Sequence, residues 1–248
     1  MTSISKGRED RENRSGSRDE QWSVPPVGAF FWCLAVIAFI TLAIFAHTHR
    51  QPLPYELAIT KKLQSSITAR WIGSFFRFLT DINEPRPDLL TMLGMLILFA
   101  LFRWFRQGIF LLLAVSISNA VDGTTGAIVG RPRPDPKLVR VDSHVAFNSF
   151  PSGHSCYVLV FYGFLIFLTL TRPVRAWRFY WLAIVLQVWA MLNILLVGLA
   201  RLWEGEHWFL DVLGGYLDGA IWLSLFIFLY QLTTRRLQKR KTIEDKAT

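Results

Sequence analysis

The feature that most constrains this chain is a series of long apolar runs, at about 27–47, 88–105, 107–130, 155–172, 179–200 and 211–232. The hydrocarbon core of a bilayer takes about 20 helical residues to cross, and within it each backbone N–H and C=O must be satisfied inside its own segment. Runs of this length therefore predict an all-α fold, a polytopic membrane helical bundle with about six transmembrane helices. Composition points the same way, with 52% hydrophobic and only 18% charged residues over 248 positions, far from the balance of a soluble domain. The second and third runs are joined only around Arg103–Gln107, which implies a tight helical hairpin. Residues 25–232 are thus expected to form one six-span domain, whose first run is too long for the core of a signal peptide.

The flanks and loops set orientation. Residues 1–24 are polar and mixed in charge, the composition of a disordered cytoplasmic tail, and 233–248 form a basic tail. The net charge of +9 comes from residues at span ends and in that tail, which suits a bilayer surface rather than nucleic acid. The cluster TTRRLQKRK, with Arg172, Arg175 and Arg178 on the same side, places both termini in the cytoplasm of a plasma (inner) membrane. Loops 131–154 and 201–211 then face outward together. Residues 53–80 carry apolar side chains at helical spacing (57, 63, 67, 71, 75 and 79) among Lys61, Lys62, Arg70 and Arg77. That pattern fits an interfacial amphipathic helix and equally a helix packed on the bundle. In the interfacial case Trp71, Phe75 and Phe76 would line a lateral route for lipid. Cys33 and Cys156 have neither metal nor redox spacing.

Three polar stretches fall on the outward side, each at the end of a run: GRPRPDPK at 130–137, FPSGHS at 150–155 and RLWEGEHWFLD at 201–211. In the first, Pro132 and Pro134 end the third helix and stiffen the chain beside Arg131 and Arg133. A guanidinium there can grip phosphate oxygens with a bidentate fork or snorkel to lipid headgroups. In the second, Ser152 is a good N-cap and Gly153 lets a ligand approach the free N–H groups of a helix start. His154 would stand beside an anion bound there, although the same residues also make an ordinary turn. In the third, His207 and Asp211 are four apart, so on a helix the carboxylate can accept the imidazole N–H and leave the other nitrogen as a nucleophile. A simple capping pair is the alternative. Glu204 and Glu206 would repel a phosphate, so they face solvent or pair with arginines. Ser116, Asn119 and Asp122 are polar at membrane depth, where hydrogen bonding between helices is the ordinary role.

Phosphoryl transfer needs cationic donors around the phosphate oxygens, an in-line nucleophile and an acid for the leaving oxygen, and the three stretches together hold all of these. They resemble the type 2 phosphatidic acid phosphatase superfamily, membrane lipid phosphatases related to vanadium haloperoxidases. The family motifs are K-x6-R-P, P-S-G-H and S-R-x5-H-x3-D; this chain has Arg133-Pro134, Pro151-Ser152-Gly153-His154, and Arg201, His207 and Asp211 at the family spacing. The resemblance, over about 88–232, implies that His207 forms a phosphohistidine, that Asp211 orients it and that His154 protonates the leaving lipid oxygen. Arg133, Ser152, the Gly153 amide and Arg201 would bind the phosphate. It also implies a phosphorylated lipid as substrate and no cofactor or metal.

Two positions depart from the motifs. The lysine counted back from Arg133 is Gly126, or Thr124 if counted from Arg131, and the serine before Arg201 is Ala200. Arg131 or Lys137 is expected to supply the missing charge. A weakened or non-catalytic lipid-phosphate-binding protein is one alternative reading. A metal-dependent membrane hydrolase using His154, His207, Asp211 and a glutamate is another, and an anion transporter is a third.

Overall fold

The computed structural model of the protein describes residues 26–143, 148–175 and 178–247. The expected tail 1–24 and His144 lie outside the described residues. The chain divides into two units, 1–34 and 35–248. Of the first, residues 26–34 are described and are helical; the packing and the site below belong to the second.

Among the described residues there are nine helices and no strand: α1 (Pro26–Thr48), α2 (Pro54–Ser66), α3 (Arg70–Asp81), α4 (Pro85–Leu101), α5 (Phe105–Val129), α6 (Gly153–Thr169), α7 (Arg172–Arg175), α8 (Tyr180–Trp203) and α9 (Phe209–Ala247). The six long apolar runs are the cores of α1, α4, α5, α6, α8 and α9. Four of these helices, α1, α5, α8 and α9, are long and apolar enough to cross a bilayer, whereas α4 and α6 have 17 residues each. Exposed large apolar side chains coat α1 (Ile37, Ile40, Ile44) and α8 (Leu182, Val185, Leu195). Such surface is stable in lipid and unstable in water, and the chain is an integral membrane protein.

Three expectations are revised. Residues 53–80 are not one helix but two, because the helical pattern is broken at 67–69, where Ile67 leaves the helical region (φ −97°, ψ 83°). The aromatic residues expected to line a lateral route are not arranged as a group. Phe76 is buried edge-on against Trp203, at 5.8 Å between ring centres, while Trp71 is 72% exposed. The basic tail is not separate from the last span, since α9 runs on to Ala247.

Helix α6 is the centre of the bundle, packed by α9, α8 and α5. Its buried side chains, Cys156, Val158, Val160, Phe161, Phe164 and Leu165, are apolar on all sides, as a helix enclosed by neighbours requires. Helices α5 and α8 and the start of α9 end at the same level as the start of α6. The segment 130–143 folds over this end. Gly130 closes α5 with φ +63°, a left-handed cap natural to glycine. Gly205 turns the chain from α8 to α9 with φ +72°, and a Cβ there would lie 2.0 Å from the Arg140 carbonyl. Gln64 fastens this layer by donating to the carbonyls of Arg140 and Trp203. The Arg140 guanidinium rests 4.1 Å from the centre of the Trp203 ring.

Candidate active site

The three polar stretches meet at this capped end. A cleft of about 320 Å³ is walled by Asp122, Gly123 and Gly126 of α5, by Arg133, by Gly153 and His154 at the start of α6, and by His207. Helix α5 stops here and α6 starts here, and so the side chains at these ends converge although far apart in sequence.

His207 is 1% exposed. Its Nδ1 lies 2.8 Å from the Ser149 carbonyl oxygen, which can only accept, so Nδ1 carries the proton. Nε2 is buried without a hydrogen-bond partner and bears the lone pair in this tautomer. Burial, then the charges of Arg133 and Arg201, hold the imidazole well below the usual histidine range, and it is neutral near pH 7. A neutral ring with its free nitrogen at the cleft is the form needed for nucleophilic attack.

Asp211 does not accept from His207, contrary to the helical-spacing expectation. His207 lies just before α9 rather than on it. The carboxylate instead accepts from the Trp208 amide at 2.8 Å, from the Ser149 hydroxyl and from Arg131 Nη1 at 2.6 Å. It acts on His207 through Ser149, fixing the segment whose carbonyl holds Nδ1. Sequence reading missed Ser149, whose carbonyl holds His207 while its hydroxyl donates to Asp211, because it stands outside any helical spacing from either residue.

Arg131 is likewise not a phosphate ligand in this arrangement. It is 1% exposed, and its guanidinium is held between Asp211 and Glu56, with Nη2 to Glu56 Oε2 at 2.6 Å. Glu56, from α2, also accepts from the Leu53 and Leu210 amides, joining α2 to the first turn of α9. The carboxylate there favours the positive end of that helix. Lys137 is exposed on the loop and is absent from the cleft wall. Neither residue takes the place of the missing lysine: Arg131 has two carboxylates to satisfy, and Lys137 is at the surface.

Arg133 reaches the cleft. Its Nη1 donates to the Glu206 carboxylate at 2.9 Å and to the Glu206 carbonyl at 3.1 Å. Arg201 is 3% exposed, with Nη1 at 3.4 Å from Glu204 and 3.5 Å from Glu84, and Nη2 at 3.6 Å from Glu206. Glu204 and Glu206 are therefore buried arginine partners rather than solvent-facing groups. Glu206 also accepts from the Ser143 hydroxyl, and Glu204 from Thr80 at 2.6 Å. Burial raises the Glu204 carboxyl to about 7, with Thr80 and Arg201 pulling the other way. Glu84, also missed in the sequence, lies 3.4 Å from His154 Nε2. His154 beside it holds the Glu84 carboxyl below the usual range against its own burial, with help from Arg201 and Arg133.

Ser152 occupies the N-cap position of α6, but its side chain makes no capping bond. It is fully buried, accepting from the Ser155 hydroxyl, while its amide donates to the Asp211 carbonyl. Gly126 stands in the cleft wall. A Cβ there would approach the Phe150 carbonyl to 3.3 Å, and its own carbonyl accepts from Asn148.

Ser116, Asn119 and Asp122 line a second cavity that adjoins the cleft. Asp122 with Cys156 and Asp218 also brings three potential metal ligand atoms within 4.8 Å of one another. The set proposed from sequence for a metal hydrolase is not assembled, because Asp211 is occupied by Arg131 and the Ser149 segment.

Residues 107–236, just over half the chain, match the PAP2 superfamily. The chain belongs to that family. It is 29% identical over 130 residues to the protein named "Putative undecaprenyl-diphosphatase YbjG" of Escherichia coli strain K12. It is 36% identical over 94 residues to the bacitracin transport permease protein BcrC of Bacillus licheniformis. These matches cover 52% and 38% of the chain, and 59% and 38% of the two relatives, so the chain spans about half the length of the curated relatives it matches. The fold is that of the transmembrane PAP2-type phosphatidylglycerolphosphate phosphatase of Bacillus subtilis, with a TM-score of 0.67 and 22% identity over 81% of this chain and 96% of that one. LpxE of Aquifex aeolicus aligns with a TM-score of 0.56 and 19% identity, over 71% and 96%.

Proposed function

We propose that the protein is a lipid phosphatase that removes phosphate from a lipid phosphate or diphosphate through a phosphohistidine on His207, without a metal. The observation that carries this reading is the His207 ring: neutral, with Nδ1 committed to the Ser149 carbonyl and Nε2 unpartnered in a cleft walled by Arg133, Gly153 and His154.

In the first step His207 Nε2 attacks phosphorus, the P–N bond forms and the bond from phosphorus to the lipid oxygen breaks. His154 gives its proton to that oxygen; its burial and the Arg201 charge loosen its hold on the proton, and Glu84 beside it pulls the other way. The imidazolium character that develops on His207 is stabilised by the Ser149 carbonyl at Nδ1. Arg133, with the Gly153 amide at the helix start and Arg201, neutralises charge on the phosphoryl oxygens. In the second step His154 takes a proton from water, the water oxygen attacks phosphorus and the P–N bond breaks. Inorganic phosphate leaves and His207 is again neutral.

Both termini are assigned to the cytoplasm and the cleft to the outer face of a plasma (inner) membrane, on the basic residues in the last part of α9 and around α7. The catalytic reading is tested by phosphate release from a panel of lipid phosphates and diphosphates by the purified protein, before and after exhaustive chelation. Activity that survives chelation supports it; activity lost on chelation and restored by a divalent ion favours the metal hydrolase.

A further inference from the structure

The second cavity, about 420 Å³, lies between α4, α5 and α6. Its walls share Asp122, Gly123, Gly153 and His154 with those of the catalytic cleft. Apolar side chains such as Met92 and Leu112 form one part of it, as an alkyl chain would need. Yet Asn83 Oδ1 and Asp122 Oδ1, both of residues in its wall, are buried with no hydrogen-bond partner, and the Asp88 carboxylate and the Tyr157 hydroxyl, also buried there, have only each other. Asn83 and Tyr157 are 2% and 5% exposed. Buried polar atoms are nearly always paired, and an orphaned one costs about 1–3 kcal/mol. Two orphans and one isolated pair around one cavity mark a place where a ligand supplies the partners. Both orphans are amide or carboxyl oxygens, and an amide or carboxylate oxygen accepts without donating, so the complementary ligand group is a donor.

We propose that this cavity is a subsite that reads an ammonium or hydroxyl group on the substrate lipid, a few bonds from the phosphate ester. This rests on the phosphatase reading and narrows its substrate class. The same arrangement gives Gly126 a rationale. Asp122 lies one helical turn before Gly126, and both are in the cleft wall. An ammonium group on the substrate, held at Asp122, brings a positive charge next to the phosphate where the family pattern has a lysine. A polyprenyl or simple alkyl phosphate has no such donor and leaves Asn83 Oδ1 and Asp122 Oδ1 orphaned.

The test compares kcat/KM in detergent micelles for sphinganine 1-phosphate, an octadecyl lysophosphatidate with its free hydroxyl, and octadecyl phosphate, with nitrophenyl phosphate as a soluble control. The wild-type protein is expected to prefer at least one donor-bearing lipid over octadecyl phosphate by roughly tenfold or more, from one charge-assisted contact. Asp122→Leu is expected to collapse that ratio. Asp122→Asn, which keeps an acceptor and loses the charge, is expected to collapse it for the ammonium lipid and spare it for the hydroxyl lipid, so that it tells which donor is read. If Asp122→Leu is inactive on every substrate, Asp88→Leu supplies the same ratio. Equal wild-type rates on all three lipids, or a preference unchanged in the leucine variant, overturn the proposal. No release from any of the four substrates overturns the phosphatase reading instead.

Discussion

Arg131 and Arg133 are two residues apart in one Pro-rich stretch, yet they serve opposite sides of the site. Arg131 faces inward, where both its terminal nitrogens are held by the Glu56 and Asp211 carboxylates, which also accept from backbone amides and tie α2 to α9; only its Nε is left without a partner. Arg133 faces the cleft, where His207 Nε2 and Asp122 Oδ1 lack partners. The saturated side is scaffold, since any ligand there would have to displace an existing ion pair. The unsaturated side is where a substrate meets atoms with no partner to lose, His207 Nε2 and Asp122 Oδ1, beside an Arg133 already held by Glu206. Chemical type does not separate the two, because both sides use arginine and carboxylate; the state of pairing does.

This contrast can be broken by substitution. The largest effect is expected from His207→Ala, which should lower phosphate release by roughly 10³-fold or more while the purified protein melts near the wild-type temperature. Arg131→Met should act in the other currency. Removing the cation strands Glu56 and Asp211 in a dry site, and loss of one partner of a buried pair typically costs about 3–5 kcal/mol, visible as a large fall in melting temperature in detergent. Arg133→Ala should cost about ten- to hundredfold in kcat/KM with little change in melting. If Arg133→Ala unfolds the protein and Arg131→Met affects only kinetics, the division is reversed.

Smaller effects sharpen the picture through pH. The depressed His207 stays neutral as pH falls through 6.5, the ordinary histidine value, so the acid limb of kcat/KM that it governs should lie below that pH. The sign for stability follows. Below 6.5 the unfolded chain binds a proton that the folded ring resists, so this residue makes stability fall as pH drops. Glu204 works oppositely. Its carboxyl titrates at about 7 in the fold, so the folded state holds a proton that the unfolded state releases near 4.5, and stability falls as pH rises between those values. Thermal scans across pH should lose that slope in Glu204→Gln. Lys137→Ala, at an exposed loop position, is expected to change neither rate nor stability measurably.

Much of this was legible in the sequence. The apolar runs located the long helices because bilayer length and backbone satisfaction leave few alternatives. His154, His207, Gly153 and Arg133, singled out by their spacing at helix ends, stand together in the wall of one cleft. What was not legible depended on partners from afar. Glu56 and Glu84 stand in segments with no motif, and only the packing of α2 and α4 onto the capped end brings them to Arg131 and His154. Asp211 was assigned correctly to the His207 neighbourhood, but its bond was misplaced because His207 precedes the helix instead of lying on it. Gly126 read as a deficiency; beside Asp122 in the cleft wall it reads as room.

The central claim is that His207 Nε2 is the attacking atom. The direct measurement is rapid mixing with lipid labelled in its phosphate, quenching in base, where phosphohistidine survives, and mapping of protein-bound label. Label on the peptide containing His207, absent from His207→Asn, is the expected result. No bound label during turnover, or label retained in His207→Asn, would contradict the account.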